Sequence, residues 1–212
     1  MKHKSLLIAA WLAAALAAQL PAGAAEDHSK HQKQAAAADV PKPSSVKVRY
    51  GDAVLTDQFG RQHKFKTDVI GDRIIVLDFV YTTCTTVCPV LTATLASMQG
   101  EFGNSDDLRL VSITVDPARD TPGRMKEYAD KLGVKPGWFW LTGPTGRVTE
   151  VLKGFGAYSA SFEDHPPLVL VGDARTGEWT RFFGFTDPKM LIAKVKELRA
   201  ARANPMPAGH KH

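Results

Sequence analysis

Two hydrophobic periods alternate along this chain, and the switches between them mark its elements. "RIIVLDFVY" and "LRLVSITVD" are nearly continuous apolar runs rich in branched residues, which predicts strands buried on both faces. "WFWLT" and "PPLVLVGD" predict two further strands, and "ARTG" turns the second of them back into "EWTRFFGF". Ahead of these, "AVLTDQFGRQHKF" reads as an N-terminal β-hairpin turning at Gly60. Helical stretches lie between the strands. One opens around Pro89, and a second, "PGRMKEYADKLG", opens at Thr121-Pro122 and closes at Gly133. A third is "GRVTEVLKGFG", and the last is "DPKMLIAKVKELRAAR", whose Met190, Leu191, Val195 and Leu198 approximate one apolar face.

The ends of the chain follow neither period. Residues 1–25 carry a basic head at Lys2 and Lys4, an apolar run over residues 6–18, and Pro21 ahead of small residues, the anatomy of a secretory signal peptide cut after Ala24 or Ala25. The alternative is an uncleaved anchor, for which the run is short and Ala-rich. No cysteine follows the run, so lipidation of an N-terminal Cys is excluded. Residues 26–45 are polar, Ala-rich and broken by proline, a flexible linker, and residues 204–212 read as a disordered tail. Residues 46–203 form the folded domain.

Strands alternating with helices predict an α/β fold with a central mixed sheet flanked by helices, in the order expected of a thioredoxin-like domain. Composition adds limits. The roughly 185 residues left after an export signal suffice for one full core and not for two. The net charge of +5 is spread without a basic stripe, which excludes a nucleic-acid binder. Export predicts a periplasmic location, or the outer face of the inner membrane if the signal stays on, with membrane contact only through that anchor.

The chain has two cysteines, Cys84 and Cys88, spaced CxxxC where the first central strand passes into its helix. That junction is at the carboxyl end of the sheet, where open α/β folds place their sites. If the helix includes both, they stand at i and i+4 on one face. A helix N-terminus favours thiolate over thiol. In an oxidising compartment the pair suits a disulfide or a soft metal ion. A purely structural disulfide is the plain alternative, although so short a loop removes little unfolded-state entropy. A metal needs a third ligand, and His165, just before the strand "PPLVLVGD", is the candidate. Two thiolates and one imidazole suit copper, Cu(I) above all, and zinc with a fourth ligand. A loop histidine with no ligand role is the competing reading.

In matching order, "DFVYTTCTTVCP", "SITVDPARDTPGRMKEYADKLG" and "DHPPLVLVGDARTGEWTRFFGF" resemble the Sco/SenC family of thioredoxin-like copper proteins. The resemblance implies that Cys84, Cys88 and His165 bind copper, Cu(I) or Cu(II), and serve assembly of the copper centre of cytochrome c oxidase subunit II. It departs from the family pattern in four places. Thr85, Thr86 and Val87 replace the family's Pro-Asp-Val, the segment "YSASFEDH" before the histidine is short, Pro166-Pro167 suggests a cis-proline opposite the cysteines, and Asp78 interrupts the apolar strand. Thioredoxins carry a buried Asp at this spacing as a proton acceptor. Asp78 is therefore either a general base of raised pKa or a carboxylate paired with Lys or Arg.

Asp116 and Asp120 are expected to serve the strand end and helix start, with Thr121 or Asp120 as N-cap. Phe79 and Tyr81 flank the pair and read as core packing, with shielding of the pair from water as the alternative. His28, His31, His210 and His212 in the tails, and His63 in the hairpin, read as solvated side chains or loose metal ligands. Two readings follow: a copper metallochaperone serving cytochrome c oxidase subunit II or another exported copper protein, and a thiol-disulfide oxidoreductase reducing such a protein's cysteines, with Asp78 moving protons. Either needs a thiol-disulfide reductant as partner. Peroxide reduction is a third, weakened by Tyr81 standing where a peroxidatic site has threonine.

Overall fold

The computed structural model describes residues 42–204. The signal peptide, most of the linker, the tail after residue 204 and the four tail histidines lie outside them. An eight-stranded mixed sheet runs in the order β1-β8-β7-β4-β5-β6-β2-β3. Its centre is β4 (Ile74–Val80), every residue of which is buried. It lies parallel to β5 (Leu108–Thr114), and β5 parallel to β6 (Trp138–Thr142). On its other side β4 pairs antiparallel with β7 (Leu168–Asp173), which turns into β8 (Glu178–Phe183). A short strand β1 (Ser44–Val46) closes the β8 edge, and the hairpin β2 (Val54–Asp57) and β3 (Gln62–Lys64) closes the β6 edge. β1 thus uses two residues that the sequence reads as linker.

Side chains of β4 alternate between faces, so each face of the sheet owns its own core. Ile74, Val76 and Val80 pack with Cys84, Cys88, Leu91 and Leu95 under α1 (Val87–Phe102), beside α2 (Pro122–Lys131) and α4 (Pro188–Ala203). Ile75, Leu77 and Phe79 pack on the other face with Val148, Val151 and Phe155 of α3 (Thr145–Phe155). Asp78 shares its parity with Val76 and Val80, so it enters the layer that holds the cysteines.

Close packing forbids a side chain at Gly172: a Cβ there would run into the indole of Trp179, its register partner on β8. At the end of the sheet away from the cysteines, Arg202 closes a two-point ion pair on Asp173, at 2.7 and 2.6 Å. Burial would raise the Asp173 pKa, but the guanidinium and the Arg175 N–H outweigh it and hold the carboxyl below its ordinary value. Among the described residues no helix is long and apolar enough to cross a membrane.

Candidate metal and thiol site

The β4 run ends at Val80, and the chain makes a tight turn in which the Cys84 N–H bonds the Tyr81 carbonyl. The helix begins at Val87, so Cys84 stands before it and only Cys88 within it. This corrects the expectation of two cysteines one helical turn apart. The sulfur still meets the helix: the Cys88 backbone N–H points at Cys84 Sγ, 3.3 Å away. A free donor of the first helical turn is thus capped by a thiol, a role that Thr86 at the N-cap leaves open. Pro89 occupies that same first turn, where its missing N–H costs nothing.

Both thiols are free, with Cys84 5% and Cys88 1% exposed. Burial opposes ionisation of Cys84. Hydrogen bonds from the Cys88 thiol, the Cys88 and Thr86 N–H groups and the Tyr81 hydroxyl win against it and bring its pKa below that of an ordinary thiol. Cys88 moves the other way, pushed up by burial first and then by donating to Cys84. The Tyr81 hydroxyl is pushed up to about 12 by burial and its bond to Cys84.

Asp78 is fully buried. Its Oδ1 accepts from Ser112 Oγ, directly beside it on β5, at 2.5 Å, and Ser112 in turn accepts from Trp138 Nε1 at 3.0 Å. Its Oδ2 is buried with no hydrogen-bond partner. No Lys or Arg pairs with it among the described residues, so the ion-paired reading of Asp78 fails. Desolvation lifts its pKa to about 7 against the partial opposition of Ser112.

His165 follows a single 3₁₀ turn (Phe162–Asp164) and is partly buried. Its Nδ1 lies 2.9 Å from the Phe162 carbonyl and its Nε2 3.3 Å from the Phe79 carbonyl. Both partners are carbonyls and can only accept, so a ring N–H on Nδ1 takes the shorter contact and is the tautomer that presents the Nε2 lone pair to a metal. The ring packs edge-on against Tyr81, with centroids 5.8 Å apart. Among the described residues no three His, Cys, Asp or Glu side chains come close enough to hold an ion together. The donor types fit copper, two sulfurs being adjacent and an imidazole lying one tyrosine away. The peptide bonds around Pro166 and Pro167 are trans, as are all those described, which overturns the cis-proline expectation. His165 itself is extended, at φ −66° and ψ 133°, the conformation favoured before proline.

Thr82, Thr114 and Tyr128 were silent in the sequence, whereas Asp116, Asp120 and Thr121 hold the strand end and helix start as expected. Asp120 accepts from the N–H and hydroxyl of Thr82 and from the hydroxyl of Thr114, tying the cysteine loop to the end of β5. Thr121 is the N-cap of α2, accepting from the Arg124 N–H at 3.4 Å. Tyr128 of α2 donates its hydroxyl to the Cys84 carbonyl at 3.0 Å. Asp116 accepts from Arg119 at 3.0 Å. His63 is not loose, since its Nε2 lies 3.0 Å from the buried carboxylate of Asp57.

A family model described as SCO1/SenC matches residues 44–199. A SCO1 protein homolog of Bacillus subtilis is 34% identical over 84 residues, which is 38% of this chain and 44% of that one. The chain spans about half the length of the first curated relatives it matches. Among solved structures, Bradyrhizobium japonicum ScoI with copper bound is 27% identical with a TM-score of 0.58, covering 70% of this chain and 99% of that one. A SCO1/SenC family lipoprotein from Bacillus anthracis is 25% identical with a TM-score of 0.62, covering 76% and 99%.

Proposed function

The chain belongs to the SCO1/SenC family of thioredoxin-like proteins, and from that premise we propose that it is an exported, periplasmic copper metallochaperone for cytochrome c oxidase assembly. Cys84 and Cys88 bind one copper ion as thiolates, His165 supplies the third ligand through Nε2, and the ion passes by ligand exchange to subunit II or another exported copper protein. The observation that supports this best is the contact of Cys84 Sγ with the Cys88 N–H at the helix start, which keeps two unpaired sulfurs together and stabilises the first as thiolate. The Nδ1 contact with the Phe162 carbonyl supports His165, because a histidine ligand held by its other nitrogen presents a fixed lone pair. Coordination exchanges the long Nε2 contact with the Phe79 carbonyl for a metal bond and draws the short loop before Pro166 toward the sulfurs.

Copper stoichiometry and affinity of the reduced protein test this. Cys84→Ser and Cys88→Ser abolish binding, and His165→Ala weakens it at least tenfold. Unchanged affinity in His165→Ala removes the histidine from the site.

A second reading is favoured by the unpartnered oxygen of Asp78 and the opposite shifts of the two thiols. The Cys84 thiolate attacks a disulfide in the acceptor protein, forming a mixed disulfide and releasing one acceptor thiolate. Cys88 gives its proton to Asp78 and attacks Cys84 Sγ, releasing the second. The acceptor disulfide gains two electrons and the Cys84–Cys88 pair loses them. An external thiol reductant resets the pair. Asp78→Asn slows this exchange while copper binding survives; equal loss of both would assign Asp78 to the fold alone.

A further inference from the structure

One side chain touches both halves of the metal site. Tyr81 is the first residue after β4, and its carbonyl accepts the Cys84 N–H that closes the cysteine turn, at 3.1 Å. Its ring packs against the buried layer that contains Cys84 and Cys88, and its hydroxyl bonds the Cys84 sulfur. The same ring meets two side chains of the histidine loop edge-on, Phe162 with centroids 5.1 Å apart and His165 at 5.8 Å. His165 Nδ1 lies 2.9 Å from the Phe162 carbonyl, so these two loop residues are tied to each other as well as to Tyr81.

The loop leans on that ring. Its 3₁₀ turn is three residues long, and Ser161 at the N-cap makes no side-chain capping bond. A cavity of about 200 Å³ separates the turn from α3, with Thr149 and Leu152 on one wall and Tyr158, Phe162 and His165 on the other. A cavity supplies no contacts, so the two edge-on ring pairs carry much of the loop's packing, helped by Arg119 over the Phe162 ring at 5.3 Å.

This packing and coordination exclude each other. With bonds of roughly 2.0 Å to nitrogen and 2.3 Å to sulfur, a shared ion brings Nε2 within about 4 Å of each sulfur. His165 and the two cysteines are not gathered so closely, and the side chain that touches the Cys84 sulfur at one end and the imidazole along its ring is Tyr81. We infer that Tyr81 is a positioning residue for copper: it holds His165 off the sulfurs in the metal-free protein and turns aside when the imidazole closes on the ion. This rests on the copper reading of the cysteine pair. With Tyr81 in place the site offers two sulfurs for thiol exchange, and with it turned aside the site offers three ligands. Closure gives up two ring pairs and a hydrogen bond, so only a fraction of the molecules presents His165 at any moment, and the apparent copper affinity falls by that fraction.

Proton NMR of the full chain, reduced, tests this without any substitution. The metal-free protein should show nuclear Overhauser contacts from the Tyr81 ring to both Phe162 and His165. One equivalent of Cu(I), which is diamagnetic, should remove the contact to His165. Tyr81→Leu and Tyr81→Phe then separate ring from hydroxyl. Both lack the hydroxyl and only phenylalanine keeps the edge-on packing, so Tyr81→Leu should bind Cu(I) about tenfold tighter than Tyr81→Phe against a chromophoric competitor. In the His165→Ala background the two should bind alike, an outcome that a merely structural role for the ring does not give. Persistence of the contact between Tyr81 and His165 in the copper-loaded protein overturns the inference. So does a difference between the leucine and phenylalanine variants that is missing when His165 is present or survives when it is absent. Failure of the copper reading itself looks different: wild type and Cys84→Ser/Cys88→Ser then take up Cu(I) alike.

Discussion

Ser112 gives Asp78 its one side-chain hydrogen bond, to Oδ1, while Oδ2 of the same buried carboxylate has no partner. A lone hydroxyl does not repay the desolvation of a charge, so the pKa rises to about 7 and the neutral acid is the favoured form below that pH.

Stability should follow from this with a definite sign. In the unfolded chain Asp78 loses its proton near pH 4, and in the folded protein near 7, so between these values the folded state binds more protons. Its contribution is fully present below about pH 4 and is lost as pH rises toward 7, by an amount on the order of a few kcal/mol. Asp78→Asn removes that slope. Urea denaturation of both proteins at pH 5 and pH 8 checks it: the variant gains on the wild type at pH 8 relative to pH 5. Parallel stabilities at the two values would mean that Asp78 is charged and satisfied.

The two thiols should separate in reactivity. Cys84 is held below the ordinary thiol pKa and Cys88 above it, so the single thiol of Cys88→Ser is expected to react with iodoacetamide at pH 8 about tenfold faster than that of Cys84→Ser. Mass spectrometry of timed samples gives both rates. Equal rates would remove the assignment of Cys84 as the attacking sulfur.

Packing at the β7–β8 pair gives a prediction independent of chemistry. Gly172→Ala drives a methyl into the Trp179 ring and should cost about 1–3 kcal/mol. Gly146→Ala in α3, where a Cβ meets nothing within 4 Å, should instead stabilise by about 0.5–1 kcal/mol. Denaturation midpoints of the two variants should move in opposite directions.

The central strands and the cysteine junction were legible because their signals are local: unbroken apolar runs, and two thiols beside a helix-starting proline. Asp78 drew notice for the same reason, as a carboxylate inside such a run. What it faces was not legible, since Ser112 comes from the neighbouring strand and Trp138 from the one beyond. Pro89 marked the first turn of α1 to within two residues, but Thr82, Thr83, Thr85 and Thr86 are each able to cap a helix, so the sequence did not say whether Cys84 lies inside it. His63 read as a loose side chain because its partner Asp57 meets it only once the hairpin register is set. The trans bonds at Pro166 and Pro167 were beyond reach, as both isomers fit the same dipeptide.

Asp120 joins the cysteine turn to β5 without touching either thiol. Its carboxylate takes the Thr82 N–H and hydroxyl on one side and the Thr114 hydroxyl on the other, all from a position 1% exposed. Asp120→Ala leaves the buried Thr114 hydroxyl and the half-buried Thr82 donors unpaired, at a cost of about 1–3 kcal/mol. Asp120→Asn keeps the shape and one acceptor, and so should recover part of that loss. If the bonds serve only the fold, copper affinity in both variants stays at the wild-type value once the protein is folded. If they hold the turn that carries Cys84, affinity falls in Asp120→Ala and recovers in part in Asp120→Asn. The second outcome is expected, because Thr82 stands two residues from Cys84, whose carbonyl is fixed from the other side by Tyr128. Copper titration against a chromophoric competitor, at a temperature where circular dichroism shows each variant folded, separates the two.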